Sequence, residues 1–270
     1  MTGTLVLIRH SWRRVRPLIL LVAALLGAFQ VIMILAARTL QTTGTLSQLA
    51  AMLPPVVRFI VGPALVSVMS FAGIAMVGYF HFVVVGALAA LAITAGTEPA
   101  GEVETGFADL LLARPVPRSS LVTRSVAVLA AASAVVVGAM WLGTAVGLRW
   151  LTPPDVARPS WRLVLELGGN LWALMTCWGA VAILAAAASR RRSVAAATAG
   201  LLALAAFLLD YVARFWKPAA GLAWLSPFHY FGGMELLMGS TAVSRHITVL
   251  LGIAVVCVLA AYVAIRRRDI

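Results

Sequence analysis

The chain has 270 residues, 62% of them hydrophobic and only 11% charged, with a formal net charge of +12. A soluble domain holds about 45–50% apolar and about 25% charged residues, so this composition and a mean hydropathy of +1.01 exclude a soluble globular protein. The positive charge is almost wholly arginine, with Lys217 the lone lysine, and it sits at the ends of apolar runs rather than in a patch suited to nucleic acid.

Residues 2–16 place Leu5, Ile8, Trp12 and Val15 at helical spacing, with Arg9, Arg13, Arg14 and Arg16 around the rest of the wheel. This predicts a basic amphipathic helix in the headgroup plane. Pro17 leads into a first span over 18–37, longer than the ~7–15-residue core of a signal peptide and therefore read as retained. A short interfacial helix is expected over 47–53, stopped by Pro54 and Pro55. The apolar run 56–95 is about twice the ~20 residues of one crossing. It reads as two spans, or as one span (64–95) preceded by a helix that rests on or dips into the interface; the single crossing keeps the charges of the later loops consistent. His81 interrupts its middle. Further spans are expected at 121–148, 163–188, 194–211 and 247–265, with an aromatic stretch broken by Pro and Gly at 214–245.

The fold expected is an all-α polytopic membrane protein, a single six-span domain. Six spans put both termini on one side. That side carries thirteen arginines, four near the N-terminus and three each near 114–124, at 190–192 and at 266–268, against eight Arg and Lys on the other. The positive-inside rule makes the richer side cytoplasmic. No strong internal repeat suggests an inverted-repeat transporter.

Chemistry-bearing motifs are sparse. The Gly-rich turn ending in Lys-Ser/Thr that holds nucleotide phosphates is absent, and His10, His81, His229 and His246 lack metal-ligand spacing. Cys177 and Cys257 lie inside apolar runs and read as small buried hydrophobes. Nothing in the sequence calls for an enzyme. The stretch 98–118 stands out because it holds four of the nine carboxylates, Glu98, Glu102, Glu104 and Asp109. Thr97 is a candidate cap, and Pro99 is tolerated in a first turn. Val103, Phe107, Leu110 and Leu111 make an apolar face. A helix over about 98–113, greasy on one side and acidic on the other, is expected, with Pro115 and Pro117 ending it. Such a helix either packs on the bundle as an ordinary interfacial helix or docks a soluble partner.

Glu102-Val-Glu104-Thr-Gly106, then Leu111-Leu112-Ala-Arg-Pro115-Val116-Pro-Arg118, resembles the signature of the type-2 ATP-binding-cassette (ABC) exporter permeases. Phe107 stands where that family usually has Thr, and Pro117 where Ser is common. Ser226-Pro227-Phe228-His-Tyr230 resembles the family's segment between spans five and six, the ending Arg267-Arg268-Asp269-Ile270 resembles its tail, and the basic helix over 2–16 resembles its elbow helix. The resemblance implies a permease subunit of an exporter in a bacterial inner (plasma) membrane, moving a hydrophobic or amphipathic substrate such as a drug, antibiotic, lipid or peptide. It implies a separate ABC ATP-binding subunit in two copies, carrying ATP and Mg, and a second permease as homodimer or heterodimer. The segment around 98–113 would be the coupling helix, with Glu102, Glu104, Gly106, Phe107, Asp109 and Leu111 as its ATPase-coupling residues. The alternatives are a non-transporting membrane anchor for an ATPase acting in assembly or maturation, and, less favoured, an intramembrane enzyme.

Asp210 with Arg214, and Arg162 with Glu166, are four residues apart near span ends and predict self-neutralising pairs. His81 marks a kink, an interface or a polar spot on a route. Trp224, Pro227, Phe228 and Tyr230 form either an interfacial aromatic belt or an outer gate of short re-entrant helices, with Gly232 and Gly233 as the bend.

Overall fold

A computed structural model describes residues 2–45, 68–106, 117–239 and 243–267. The helices, in chain order, are α1 (Thr2–Thr42), α2 (Phe71–Phe80), α3 (Phe82–Gly96), α4 (Glu98–Glu104), α5 (Ser119–Leu151), α6 (Trp161–Ala188), α7 (Arg192–Ala213), α8 (Lys217–Ala220), α9 (Gly233–Leu237) and α10 (Val243–Arg266). Short 3₁₀ turns cover Ala223–Leu225 and Pro227–Tyr230. No strand occurs among the described residues. Among the described residues six stretches are long and apolar enough to cross a membrane: α1, the run α2–α4, α5, α6, α7 and α10. The all-α polytopic bundle is therefore as expected. The expected interfacial helix at 47–53, the start of the second span at 64, the segment 107–113 and the tail beyond 267 lie outside the described residues.

Helix directions follow from side-chain contacts. Thr4 meets Ser120 at 3.3 Å between hydroxyls, and further along Ile34 covers Gly147, so α1 and α5 run parallel. Between these points Gly27 lies on Ala139 and Gly143. Gly143 and Gly147 form a Gly-x-x-x-Gly pair. In lipid, where helices gain nothing by expelling water, small residues let backbones touch and packing holds the seam. α6 runs antiparallel to α5, since Gly168 faces Trp141 and Gly179 faces Leu129. α10 runs with α6: Ile247 lies by Gly169, and Tyr262 Oη meets Thr123 Oγ1 at 2.8 Å. The starts of α1 and α5 and the end of α10 thus share one end of the bundle. α6 is the centre, with 67% of its most apolar stretch buried against 28% for α1, 22% for α7 and 17% for α10.

One boundary differs from expectation, and one expected interruption takes a definite form. Residues 2–16 are not a separate elbow. They are the first turns of α1, which continues through Pro17. Proline removes one backbone donor and crowds the carbonyl four residues back. No glycine or polar linker follows Pro17 to turn the chain, and proline is tolerated inside membrane helices. The second crossing is broken where His81 interrupts it. His81 takes an extended ψ of 132°, and its Nδ1 accepts from Val83 N–H at 3.3 Å, capping α3. Phe29 and Phe82 flank the imidazole, with ring centres 5.5 and 4.7 Å away. The remaining spans match expectation within about two to four residues at each end.

Candidate functional site

The acidic segment forms α4, at the same end of the bundle as the starts of α1 and α5. Pro99 sits in its first turn. Thr97 does not cap it: the hydroxyl donates back to Ile93 O at 2.8 Å. The helix is shorter than the sequence suggested. It ends at Glu104, and Gly106 has φ +70°. That left-handed conformation suits glycine and closes a helix, so the expected run to 113 breaks there. Of the six candidate coupling residues, Glu102, Glu104 and Gly106 are described. Phe107, Asp109 and Leu111 lie outside the described residues.

Each carboxylate of α4 contacts a different span. Glu102 accepts two hydrogen bonds from Arg124 on α5, at 2.9 Å from Nη1 and 2.7 Å from Nη2. Both residues are buried, Glu102 3% and Arg124 1% exposed. The planar guanidinium fork matches a carboxylate in direction as well as charge. Glu98 is also buried and approaches Arg14 of α1 at 3.8 Å. Glu104 is exposed and accepts from the backbone N–H of Arg192, the first residue of α7, at 2.9 Å. A carboxylate there meets the positive end of the helix dipole. Glu98 and Glu102 turn into the bundle, and Glu104 is exposed. The exposed charges on this face are mainly basic, including Arg9, Arg13, Arg16, Arg190, Arg191 and Arg267.

The sequence reading missed Arg124 as a partner. Its signal was present: an arginine one turn inside an apolar run requires a compensating charge, and the only nearby carboxylates are those of 98–109.

At the opposite end the aromatic stretch folds back into the bundle. Ser226 is fully buried; its Oγ donates to Ala206 O at 2.8 Å and accepts from Phe228 N–H at 3.1 Å. Ala206 lies two turns before the end of α7, so at ~1.5 Å per residue Ser226 sits about 10 Å inside that helix end. Asn170 of α6 donates to Tyr230 O at 3.1 Å. Phe228 is wedged between Trp178 and Phe207, with ring centres 5.5 and 5.7 Å away. The four outer-gate candidates therefore divide. Pro227 and Phe228 are buried anchors, Trp224 is exposed, and Tyr230 ties the loop by donating to Trp224 O at 3.1 Å. Gly233 lies against the Phe80 ring at the end of α2, where a side chain has no room. The two predicted i,i+4 pairs form, Arg214 with Asp210 and Arg162 with Glu166, each at 2.8 Å.

Between these ends lies a groove-like cavity of about 460 Å³ between α3 and α7, open along one side where Gly86, Ala90 and Leu204 are exposed. Val85, Gly86, Ala89 and Ile93 form one wall, and Gly200, Ala203, Leu204 and Phe207 the other. Phe228, Phe231 and Asp210 stand at its far end. Small residues recurring at helical spacing on both helices were the unused signal for it. Among the described residues no cluster of His, Cys, Asp or Glu is able to hold a metal. No family model matches the sequence, and no curated protein matches it.

Proposed function

We propose that this chain is the permease subunit of an ATP-driven exporter of the type-2 ABC class, moving a hydrophobic or amphipathic substrate. A separate subunit holds ATP and Mg and works in two copies, and a second permease, identical or different, completes the assembly. The chain ends and α4 face the cytoplasm of a bacterium, as the arginine-rich side of a membrane protein does.

The observation that carries this reading is the arrangement of α4. It joins the second and third spans and reaches α1, α5 and α7 with one carboxylate each. A helix shifts a conformational equilibrium only through contacts that differ between states, and one bound to three spans conveys a push to all three. Residues 104–113 then meet the ATPase, while Glu102 holds the helix to the bundle. The apolar cavity between α3 and α7 favours a transporter over a plain ATPase anchor, because it supplies a place for an apolar cargo.

The test is affinity purification of the tagged chain from its native membrane, followed by reconstitution. An ATP-binding subunit is expected to co-purify in equal amount. Glu104→Arg is expected to retain that subunit while losing the ATP-dependent efflux of the wild-type complex. Absence of any ATPase from the purified material refutes the proposal. An ATPase that is present but moves no amphiphile in liposomes favours the anchor.

A further inference from the structure

The acidic helix and the cavity are joined by one residue. Arg192 opens α7, and its N–H donates to Glu104 on α4. Its Nη2 reaches the carbonyl of Thr94 on α3 at 3.2 Å. Its stem crosses Gly101, where an added Cβ would stand 3.0 Å from Cδ. Thr94 follows Ile93, the last residue of α3 on the cavity wall, and Arg192 lies about two turns before Gly200, the first wall residue of α7. Arg192 therefore bridges the two walls at the end of the cavity nearest α4. The other end is filled by Phe228 and Phe231.

We infer that Arg192 is a clasp that shuts the α4 end of the cavity, and that Glu104 controls it. The electrostatics favour a closure that is easily released. A helix N-terminus carries partial positive charge and disfavours cations, yet Arg190, Arg191 and Arg192 crowd this one. Glu104 offsets that repulsion. Moving α4 withdraws the carboxylate, the start of α7 parts from α3, and an amphiphile enters from the α4 side. This inference rests on the transport reading for its purpose but not for its test.

The test uses the full chain in nanodiscs, with Cys177 and Cys257 replaced by Ala and a single reporter, Ile93→Cys. The readout is the rate of modification by a membrane-impermeant thiol reagent. The reporter is expected to react slowly in the parent. Arg192→Ala and Glu104→Ala should each speed it by about tenfold, the change in an open–closed equilibrium that a lost charge-assisted hydrogen bond brings. Arg191→Ala, an exposed neighbour, should leave the slow rate. Glu104→Gln keeps shape and an acceptor oxygen, so it guards against misfolding; an intermediate rate is expected. Equal rates in parent, Glu104→Gln and Arg192→Ala overturn the clasp. A failed clasp leaves ATPase co-purification untouched, and a missing ATPase leaves the labelling result standing.

Discussion

Glycines line two helix pairs in this bundle, and they serve opposite ends. Between α1 and α5, a Cβ added at Gly143 would land on the carbonyl oxygen of Gly27, and Gly147 is covered by Ile34. Between α3 and α7, a Cβ at Gly86 or Gly200 would meet nothing within 4 Å. In the first pair small residues bring backbones together. In the second they leave volume, because α3 and α7 face each other across a space ringed by Phe80, Phe207 and Phe228. The lesson is that a stripe of small residues states only that bulk is missing. What approaches the stripe decides whether it becomes a seam or a cavity.

Perturbations of the tight half should cost most. Arg124→Ala strands Glu102 in the interior. Removing one partner of a buried pair costs about 3–5 kcal/mol, read as a lowered unfolding midpoint in nanodiscs. Exchanging the charges with Glu102→Arg and Arg124→Glu together should recover part of it, and a lone Arg124→Ala without effect would show the pair is not buried. Gly143→Ala comes next. It forces α1 away from α5, at about 1–3 kcal/mol for overpacking. Ser226→Ala removes both bonds that seat the aromatic loop and should cost about 1 kcal/mol, with greater protease sensitivity confined to 223–231. Gly200→Ala should be the mildest, within about 0.5 kcal/mol of wild type, because its methyl enters open space. Equal losses for Gly143→Ala and Gly200→Ala would erase the distinction between the two helix pairs.

Much of the fold was legible because lipid imposes simple demands. A crossing must be long, apolar and helical, and runs such as 163–188 meet all three conditions without help from tertiary structure. Local pairs were legible too, since Asp210 and Arg214 need only one turn of helix to meet. What escaped was non-local. Glu102 and Arg124 are 22 residues apart, and nothing in the sequence between them states that they meet. Arg124 counted only toward orientation, although its depth in an apolar run called for a named partner. In sequence Pro17 marks a boundary, because proline usually ends a helix, but here the flanking residues carry the helix on. Gly106 worked the other way: the apolar spacing through Phe107 and Leu111 argued for continuation, and a single left-handed glycine overrode it.

The length of α1 has a mechanical consequence. At ~1.5 Å per residue its 41 residues extend about 60 Å, roughly twice the ~30 Å hydrocarbon slab. A shaft that long must protrude or lean. It does either in company, because contacts from Thr4–Ser120 to Ile34–Gly147 zip it to α5. Glu98 and Glu102 fasten α4 to both members of that zipped pair. A few degrees of shared rotation deep in the bilayer would therefore become a sideways sweep of the α4 platform, and a sideways shove on the platform would become a rotation.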